Sequence, residues 1–578
     1  MSVQRRKSIR TSKTPPAGCK LTGMRFLAAL CAAFFVYGPA LTGPFVFDDK
    51  VQLYAKAATA DQSLPNWINS VRPMLFFTFW LNHLVLGNAP LGYHLVNVII
   101  HVLNTALVFL VTHRLLILYR GSAARGKVDL LAGFAAVVFL LHPIQTESVA
   151  YIASRSETLC AFFMLAALAL FLYRRPGPVT WPAASAIMLL CVAACATKEQ
   201  AVSLVPVLLL ADLFWEADFS LARLRANWRL YVSLAAAGLL GAAVVVRLLE
   251  ISPSAGFRLH DLTWLEYFLT ECRVFFSYVR LFVLPVGQTL SPEVAISKNI
   301  FDHGSIFGLL GILALIAAAV YFRRRWRLAS FGILVFIVLL APTSSFVPLL
   351  DPLVEHRLYL PTLALTLVLL ECLLRARLRE ERLVALCILI PCVCGAMSFS
   401  RNYVWGDEIL LWQDAVSKTP DAQRPYLGLA VAYINRNRCR EAENVLAKAS
   451  ARFDRSPSVL TLFSKAEECL DKFDEAADLM RRAAEVMPRA AIYMNIGLIR
   501  TRQGKTQDAY DAFERAVELD PSSARAYILR GEWYEAAARF EAAAEDFRHA
   551  LQLAPNDGAA REHLDKLERR MFFAASGR

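Results

Sequence analysis

Between residues 26 and 399 the sequence returns repeatedly to apolar runs of roughly span length, and after 399 it never does so again. A helix of about 20 apolar residues matches the ~30 Å hydrocarbon core of a bilayer. Inside lipid only a helix or a closed barrel satisfies every backbone polar group. Candidate spans fall at 24–43, 94–113, 129–145, 157–173, 181–197, 199–215, 229–248, 303–322, 328–345, 357–374 and 382–399. The 56% hydrophobic and 19% charged composition follows from this concentration, because the text after 399 is ordinary Ala-, Glu- and Arg-rich sequence. A basic start followed by apolar residues from Phe26 has the outline of a leader. The many later runs make a retained first span the better reading.

The formal charge of +13 does not indicate nucleic acid. Its basic residues sit in clusters flanking apolar runs, such as "RRKSIR", "YRGSAARGK", "RLRANWR", "RRRWR" and "RARLREER", which is the pattern of positive-inside anchoring. With the N-terminus inside, the clusters at 114–127, 174–175, 223–229, 323–327 and 375–382 all fall inside, and everything beyond 399 lies outside. The stretch "YFLTECRVFFSYVRLFVLPVG" (267–287) would invert every later loop if it crossed. It also carries Glu271, Arg273 and Arg280, so it reads as a re-entrant or interfacial element of the outer side. Of the twelve cysteines, Cys31, Cys160, Cys191, Cys195, Cys372, Cys387, Cys392 and Cys394 lie in apolar runs as small hydrophobes. No spacing indicates zinc or a disulfide framework.

From 424 the sequence repeats with a period of 34. Ala509, Phe513, Ala516 and Pro521 return as Ala543, Phe547, Ala550 and Pro555, and Tyr493 and Gly497 return as Tyr527 and Gly531. Small and aromatic residues at helical spacing, with a proline closing the unit, are the pattern of tetratricopeptide helix pairs, here about four. The expected division is a basic cytoplasmic tail over 1–23, a membrane domain over 24–400, a linker over 401–423 and an outer repeat domain over 424–570. The fold class is therefore all-α: about 11–13 membrane helices followed by an α-solenoid.

Polar residues recur at the outer ends of spans. Asp48 and Asp49 follow the first run directly, and a carboxylate near a second one at the hydrocarbon edge is pushed toward the range of a general base. In an extended segment the two point opposite ways, and Asp49 is preferred as the one facing inward. "LLHPIQTESVAYIASRSETL" places His142 and Glu147 at a boundary, with Glu147, Tyr151 and Arg155 on one face if that segment is helical. The second span carries a stripe of His94, Asn97, His101 and Asn104, which must face protein or water; interhelical hydrogen bonding and cavity lining both explain it. Its histidines are too far apart along the helix to share a metal. Lys198 and Glu199 occupy a short outer turn, where they could neutralise one another. Glu355, His356 and Arg357 enter a later span from the same side. Arg72, Arg155, Lys198 and Arg357 together would supply positive potential for a phosphate.

The ordered set of segments, the DD after span one, "RPMLFFTFWLNHLVLGNAPLGYHLVNVIIHVLNTALVFLV", "FLLHPIQTESVAYIASRSETL", "TKEQAVSLVPVLLLADLF", "LFVLPVGQTLSPE" and "SSFVPLLDPLVEHRLYLP", resembles the transmembrane and tetratricopeptide-repeat-containing (TMTC) O-mannosyltransferases and their bacterial relatives. These are glycosyltransferases of the GT-C class, and the likeness covers roughly residues 25–420. It implies a first-loop catalytic acid, here Asp48 or Asp49, and a second-loop acid, Glu147. It also implies a polyprenyl-phosphate sugar donor, with Arg155, Lys198, Arg357, Arg72 and His356 on the phosphate side. His94, Asn97, His101, His142, Tyr151, Glu199 and Glu355 would support the cavity. The implied reaction is an inverting transfer of a sugar such as mannose to a Ser or Thr hydroxyl of a protein, with no redox or nucleotide cofactor. A divalent metal between Asp48, Asp49 and Glu147 is the minor alternative. The tail is shorter than in animal members, and the composition suggests a bacterial inner-membrane chain with an undecaprenyl lipid. The implied partners are the lipid-linked sugar, membrane lipids, an acceptor protein or peptide, and a protein held by the repeats. Competing readings are an enzyme that modifies a lipid or polysaccharide, a transporter or flippase of lipid-linked sugar, and a membrane-anchored scaffold.

Overall fold

The apolar runs are helices in the computed structural model, which describes residues 17–50, 63–121, 125–174, 177–216, 218–236, 238 and 262–575. No β-strand occurs among the described residues, and the chain divides into two compact units, 1–411 and 412–578. The cytoplasmic-tail expectation for residues 1–16, most of the 229–248 span and parts of the first and fourth outer loops lie outside the described residues.

Among the described residues the first unit contains the helices α1 (Ala17–Tyr37), α2 (Pro73–Leu86), α3 (Pro90–Arg120), α4 (Arg125–Leu141), α5 (Arg155–Tyr173), α6 (Trp181–Cys195), α7 (Leu204–Ala211), α8 (Trp264–Val283), α9 (Ser305–Tyr321), α10 (Arg327–Leu340), α11 (Pro361–Arg375) and α12 (Glu380–Trp405). Among the described residues four stretches are long and apolar enough to cross a bilayer: Pro90–Arg120, Ile152–Tyr173, Asp302–Tyr321 and Glu380–Trp405. Gly126–Leu141 with Pro143–Ala150 makes a fifth if this pair, bent by 49°, is one span. Leu27–Ala40, Pro73–Leu86, Trp181–Cys195 and Arg327–Leu340 are shorter apolar helices.

Their outward faces are apolar too. On α9, Phe307 is 76% and Tyr321 79% exposed, with Leu310 and Leu313 beside them, a surface that water would not tolerate and lipid would. This is a membrane protein. The inward faces share one continuous core, running from Val36 on α1 through Val111, Phe139, Leu165 and Phe331 to Leu367 on α11. Close approach is enforced where side chains vanish. A Cβ on Gly332 of α10 would come within 2.5 Å of the Ala364 carbonyl of α11.

The structure revises several expectations. The first outer loop, read as 44–93, contains the fourteen-residue helix α2. The 199–215 run changes helical type along its length: a 3-10 turn at Glu199–Ser203 leads into the short α7, and a π turn at Asp212–Glu216 follows it. Residues 267–283 of the segment read as re-entrant or interfacial lie in α8, which starts with a capping box in which Thr263 accepts the Glu266 amide and is not among the helices apolar enough to cross. Residues 401–423 are mainly helical, finishing α12 and forming α13 (Glu408–Lys418), which carries the chain across the unit boundary.

The second unit stacks α14 (Gln423–Asn435), α15 (Cys439–Arg452), α16 (Pro457–Cys469), α17 (Phe473–Val486), α18 (Ala490–Arg502), α19 (Thr506–Leu519), α20 (Ala524–Ala536), α21 (Phe540–Leu553) and α22 (Gly558–Ala575). The eight helices before α22 are four pairs, as the period requires. The last two pairs meet where glycine faces a ring: a Cβ on Gly497 would lie 2.4 Å from Phe513, and one on Gly531 would lie 2.9 Å from Phe547. Those two positions return together because the same contact is being repeated. Cys439 and Cys469 are disulfide-bonded, which the sequence reading did not anticipate.

Candidate functional site

A carboxylate-rich cluster forms where turns between helices converge. Asp48 and Asp49 begin a short helical turn rather than an extended segment, and their side chains separate there. Asp49 is 1% exposed; its Oδ2 accepts the Val46 amide at 3.1 Å and its Oδ1 the Ala153 amide at 2.7 Å. It thereby clips the turn after α1 to the loop before α5. Burial pushes its carboxyl up to about 8, against the pull of those two amides. Asp48 stays half-buried. The Tyr151 hydroxyl accepts the Asp48 amide at 3.0 Å, and the Asp48 carboxylate lies close enough to His356 to act on it electrostatically. Lys50 closes the same turn with a 2.6 Å ion pair to Glu408.

The stretch after α4 breaks twice. His142 ends α4, accepting the Ile144 amide on Nδ1, while its Nε2 lies 2.9 Å from the Phe282 carbonyl of α8. One short turn, Thr146–Ala150, follows before Tyr151 takes an extended conformation (φ −77°, ψ 115°). Glu147, Tyr151 and Arg155 therefore do not share one helical face, and each goes to a different partner. Glu147 meets His356, with Oε1 2.5 Å from Nδ1. Tyr151 stacks on Trp405. Arg155, fully buried, donates to Asn97 Oδ1 at 2.7 Å, Asn82 Oδ1 at 2.9 Å and the Tyr93 carbonyl at 2.9 Å, with its guanidinium 4.4 Å over the Phe79 ring. A cation so enclosed holds α2, α3 and α5 together.

The remaining cations are distributed by pairing. Lys198 does not pair with Glu199: its ammonium bonds Glu157, whose other oxygen takes Gln200. Arg72 takes Glu199 with two bonds, of 3.1 and 2.7 Å. Arg357 donates to the Pro352 and Asp351 carbonyls at 2.6 and 2.7 Å and lies 3.9 Å from Glu271 of α8. His356 is central. One ring nitrogen meets Glu147, the other lies 3.9 Å from Glu157, and the side chain keeps 22% exposure. Glu355 is buried and receives Gln288 and the Thr289 amide, both at 2.7 Å. Burial, with the Glu147 carboxylate beside it, pushes Glu355 up to about 7.

The polar stripe on α3 is spent on hydrogen bonds between elements. His94 lies 3.2 Å from the Gly43 carbonyl, Asn97 orients Arg155, His101 meets the Tyr359 hydroxyl at 2.8 Å, and Asn104 donates to Thr158 and Tyr359. Among the described residues no group of three or more His, Cys, Asp or Glu side chains is arranged to hold a metal ion. Sequence reasoning did not single out Glu157, Gln200, Gln288 or Arg401, whose charge acts on Glu355. Glu157 had a signal, since it stands two residues from Arg155 in the same segment. An apolar cavity between α3, α5, α7, α10 and α11 is lined by Val111, Met164, Leu168, Val207, Phe331 and Leu360. Leu360 is four residues from His356.

Comparison with known proteins bears out the likeness read from the motifs. A protein O-mannosyl-transferase of Caenorhabditis elegans, F38B6.6, is 24% identical over 459 residues, covering 75% of this chain and 63% of the relative. Protein O-mannosyl-transferase Tmtc1 of Drosophila melanogaster is 33% identical over 201 residues, covering 32% of this chain and 22% of the relative. Mouse protein O-mannosyl-transferase TMTC3 is 31% identical over 158 residues, covering 27% and 16%. The chain thus spans less than two thirds of the length of these relatives. Residues 488–556 match the tetratricopeptide repeat family model. The chain is TMTC-like, with a membrane unit followed by tetratricopeptide repeats.

Proposed function

We propose that this TMTC-like chain is a glycosyltransferase that moves a sugar, mannose by the names of its relatives, from a polyprenyl-phosphate donor to a protein Ser or Thr hydroxyl on the outer side of the membrane. The observation that carries the reading is the convergence of Asp48, Glu147, Glu157, Glu355, His356 and Lys198, drawn from distant parts of the chain into one partly open cluster. Tyr151 and His356 connect Asp48 to the rest.

A polyprenyl phosphate is already a leaving group at the anomeric carbon, so the protein has two tasks. It must take the acceptor proton and stabilise the departing phosphate. Asp48 is the base in this account, because Asp49 has committed both oxygens to backbone amides. The acceptor oxygen attacks the anomeric carbon, the bond from that carbon to the phosphate oxygen breaks, and the proton passes to Asp48; one displacement inverts the configuration. Lys198 and His356 face the phosphate, Lys198 steered by Glu157 and the His356 ring by Glu147. Arg155, Arg357 and Arg72 position the surrounding segments.

The test is full-length protein in vesicles with labelled polyprenyl-phosphate mannose and a Ser/Thr-rich peptide. Labelled peptide of inverted anomeric configuration is expected. Label that crosses the bilayer still joined to its lipid, with no glycopeptide, would point to a flippase instead. Label appearing only on lipid or glycan would reassign the acceptor.

A further inference from the structure

The second unit contains two cysteines, Cys439 and Cys469, and the fold brings them together across 30 residues of sequence with a Cα separation of 5.9 Å. That separation is within the range a disulfide bridges. The placement follows from the stacking. Helices α15 and α16 pack against one another, belong to successive repeats and run in opposite directions, so the first residue of α15 meets the last of α16. Each cysteine occupies one of those two positions. Cys439 is buried and Cys469 is exposed, so the pair lies at an edge that a protein partner can reach. The other cysteines whose side chains are described all belong to the first unit and none is in a disulfide.

We infer that Cys439 and Cys469 are a site of oxidative cross-linking, a staple between the first two repeats that a dithiol–disulfide oxidoreductase installs, and that the repeat unit therefore faces an oxidising compartment. Thiol–disulfide exchange supplies the chemistry. One cysteine thiolate attacks the oxidoreductase disulfide, forming a mixed disulfide and releasing one oxidoreductase thiol. The second thiolate attacks the chain's own sulfur in that mixed disulfide and displaces the other. Two electrons and two protons leave Cys439 and Cys469, and the oxidoreductase disulfide is reduced to its dithiol. Such bonds persist in the periplasm, the secretory lumen or outside the cell, and rarely in a reducing cytosol. The inference rests on the repeat unit alone and is independent of the transferase reading.

Loss of the bond leaves a second tie at the same edge. Lys472, at the start of α17, pairs with Glu443 of α15 at 2.5 Å and Glu467 of α16 at 3.2 Å. Variants lacking the cysteines should therefore fold, and they can be compared with wild type.

Cells making the full chain are quenched in acid, denatured with N-ethylmaleimide, then reduced and labelled with a heavier maleimide, and peptides are read by mass spectrometry. Cys439 and Cys469 should carry the heavy label, and Cys439→Ser should shift Cys469 to the light one. Light label on both wild-type cysteines would overturn the inference. Limited proteolysis of the purified chain tests the staple: reduction should speed cleavage between 439 and 469 severalfold, with no change in the Cys439→Ser/Cys469→Ser variant. Equal cleavage rates in reduced and oxidised wild type would remove its role as a staple.

Discussion

Asp49 spends both carboxylate oxygens on the amides of Val46 and Ala153, while its neighbour Asp48 keeps its carboxylate half-buried in range of His356. Burial raises Asp49 to about 8 and Glu355 to about 7, both above their unfolded values near 4. A raised acid favours folding fully below its unfolded value, and that contribution is lost as pH rises through the folded one. The protein should therefore melt at a higher temperature at pH 5 than at pH 8.5, and Asp49→Asn should flatten the difference; thermal unfolding in detergent at the two pH values checks this. Arg155 gives a second prediction. Replacing it with Met strands the Asn97 and Asn82 oxygens and the Tyr93 carbonyl, so stability should fall by about 2–4 kcal/mol. A donor KM measured on the folded fraction should stay near wild type. Period-two reasoning separated Asp48 from Asp49 and preferred Asp49 as the inward one, and Asp49 is the buried one; what it could not read is that one of the two amides holding Asp49, that of Ala153, comes from a segment 104 residues away. The pairings of Lys198 with Glu157 and Arg72 with Glu199 were hidden for the same reason: adjacency in sequence offered Lys198 to Glu199, and packing turned each toward another element.

Elements were legible in proportion to how repetitive their physics is. The 34-residue period identified the repeat helices, since Gly497 and Gly531 recur wherever a ring must approach a backbone. Gly497→Val would drive a side chain into the Phe513 ring and should cost about 1–3 kcal/mol, seen as a lower melting temperature of the repeat unit. Apolar length identified most of the helices described in the first unit. It did not reveal the break at Tyr151, where an extended residue divides what spacing alone reads as one helix. It also missed α2, whose apolar helix sits inside a stretch taken as a polar loop. That break has a consequence: it turns Glu147 toward His356 and lets Arg155 start α5 inside its cage. A continuous helix would hold both residues on one side and leave His356 without its carboxylate.

At the scale of the molecule, the account joins a lipid-facing membrane unit with a site assembled from its turns and a repeat unit bearing its own disulfide. The central claim is that the clustered acids perform sugar transfer, with Asp48 taking the proton. Its most direct test measures peptide glycosylation from polyprenyl-phosphate mannose in vesicles by wild type and by Asp48→Asn, with folding followed by thermal melting. The account predicts that Asp48→Asn melts like wild type while transfer falls by about 100-fold or more. Transfer by Asp48→Asn at the wild-type rate would contradict it.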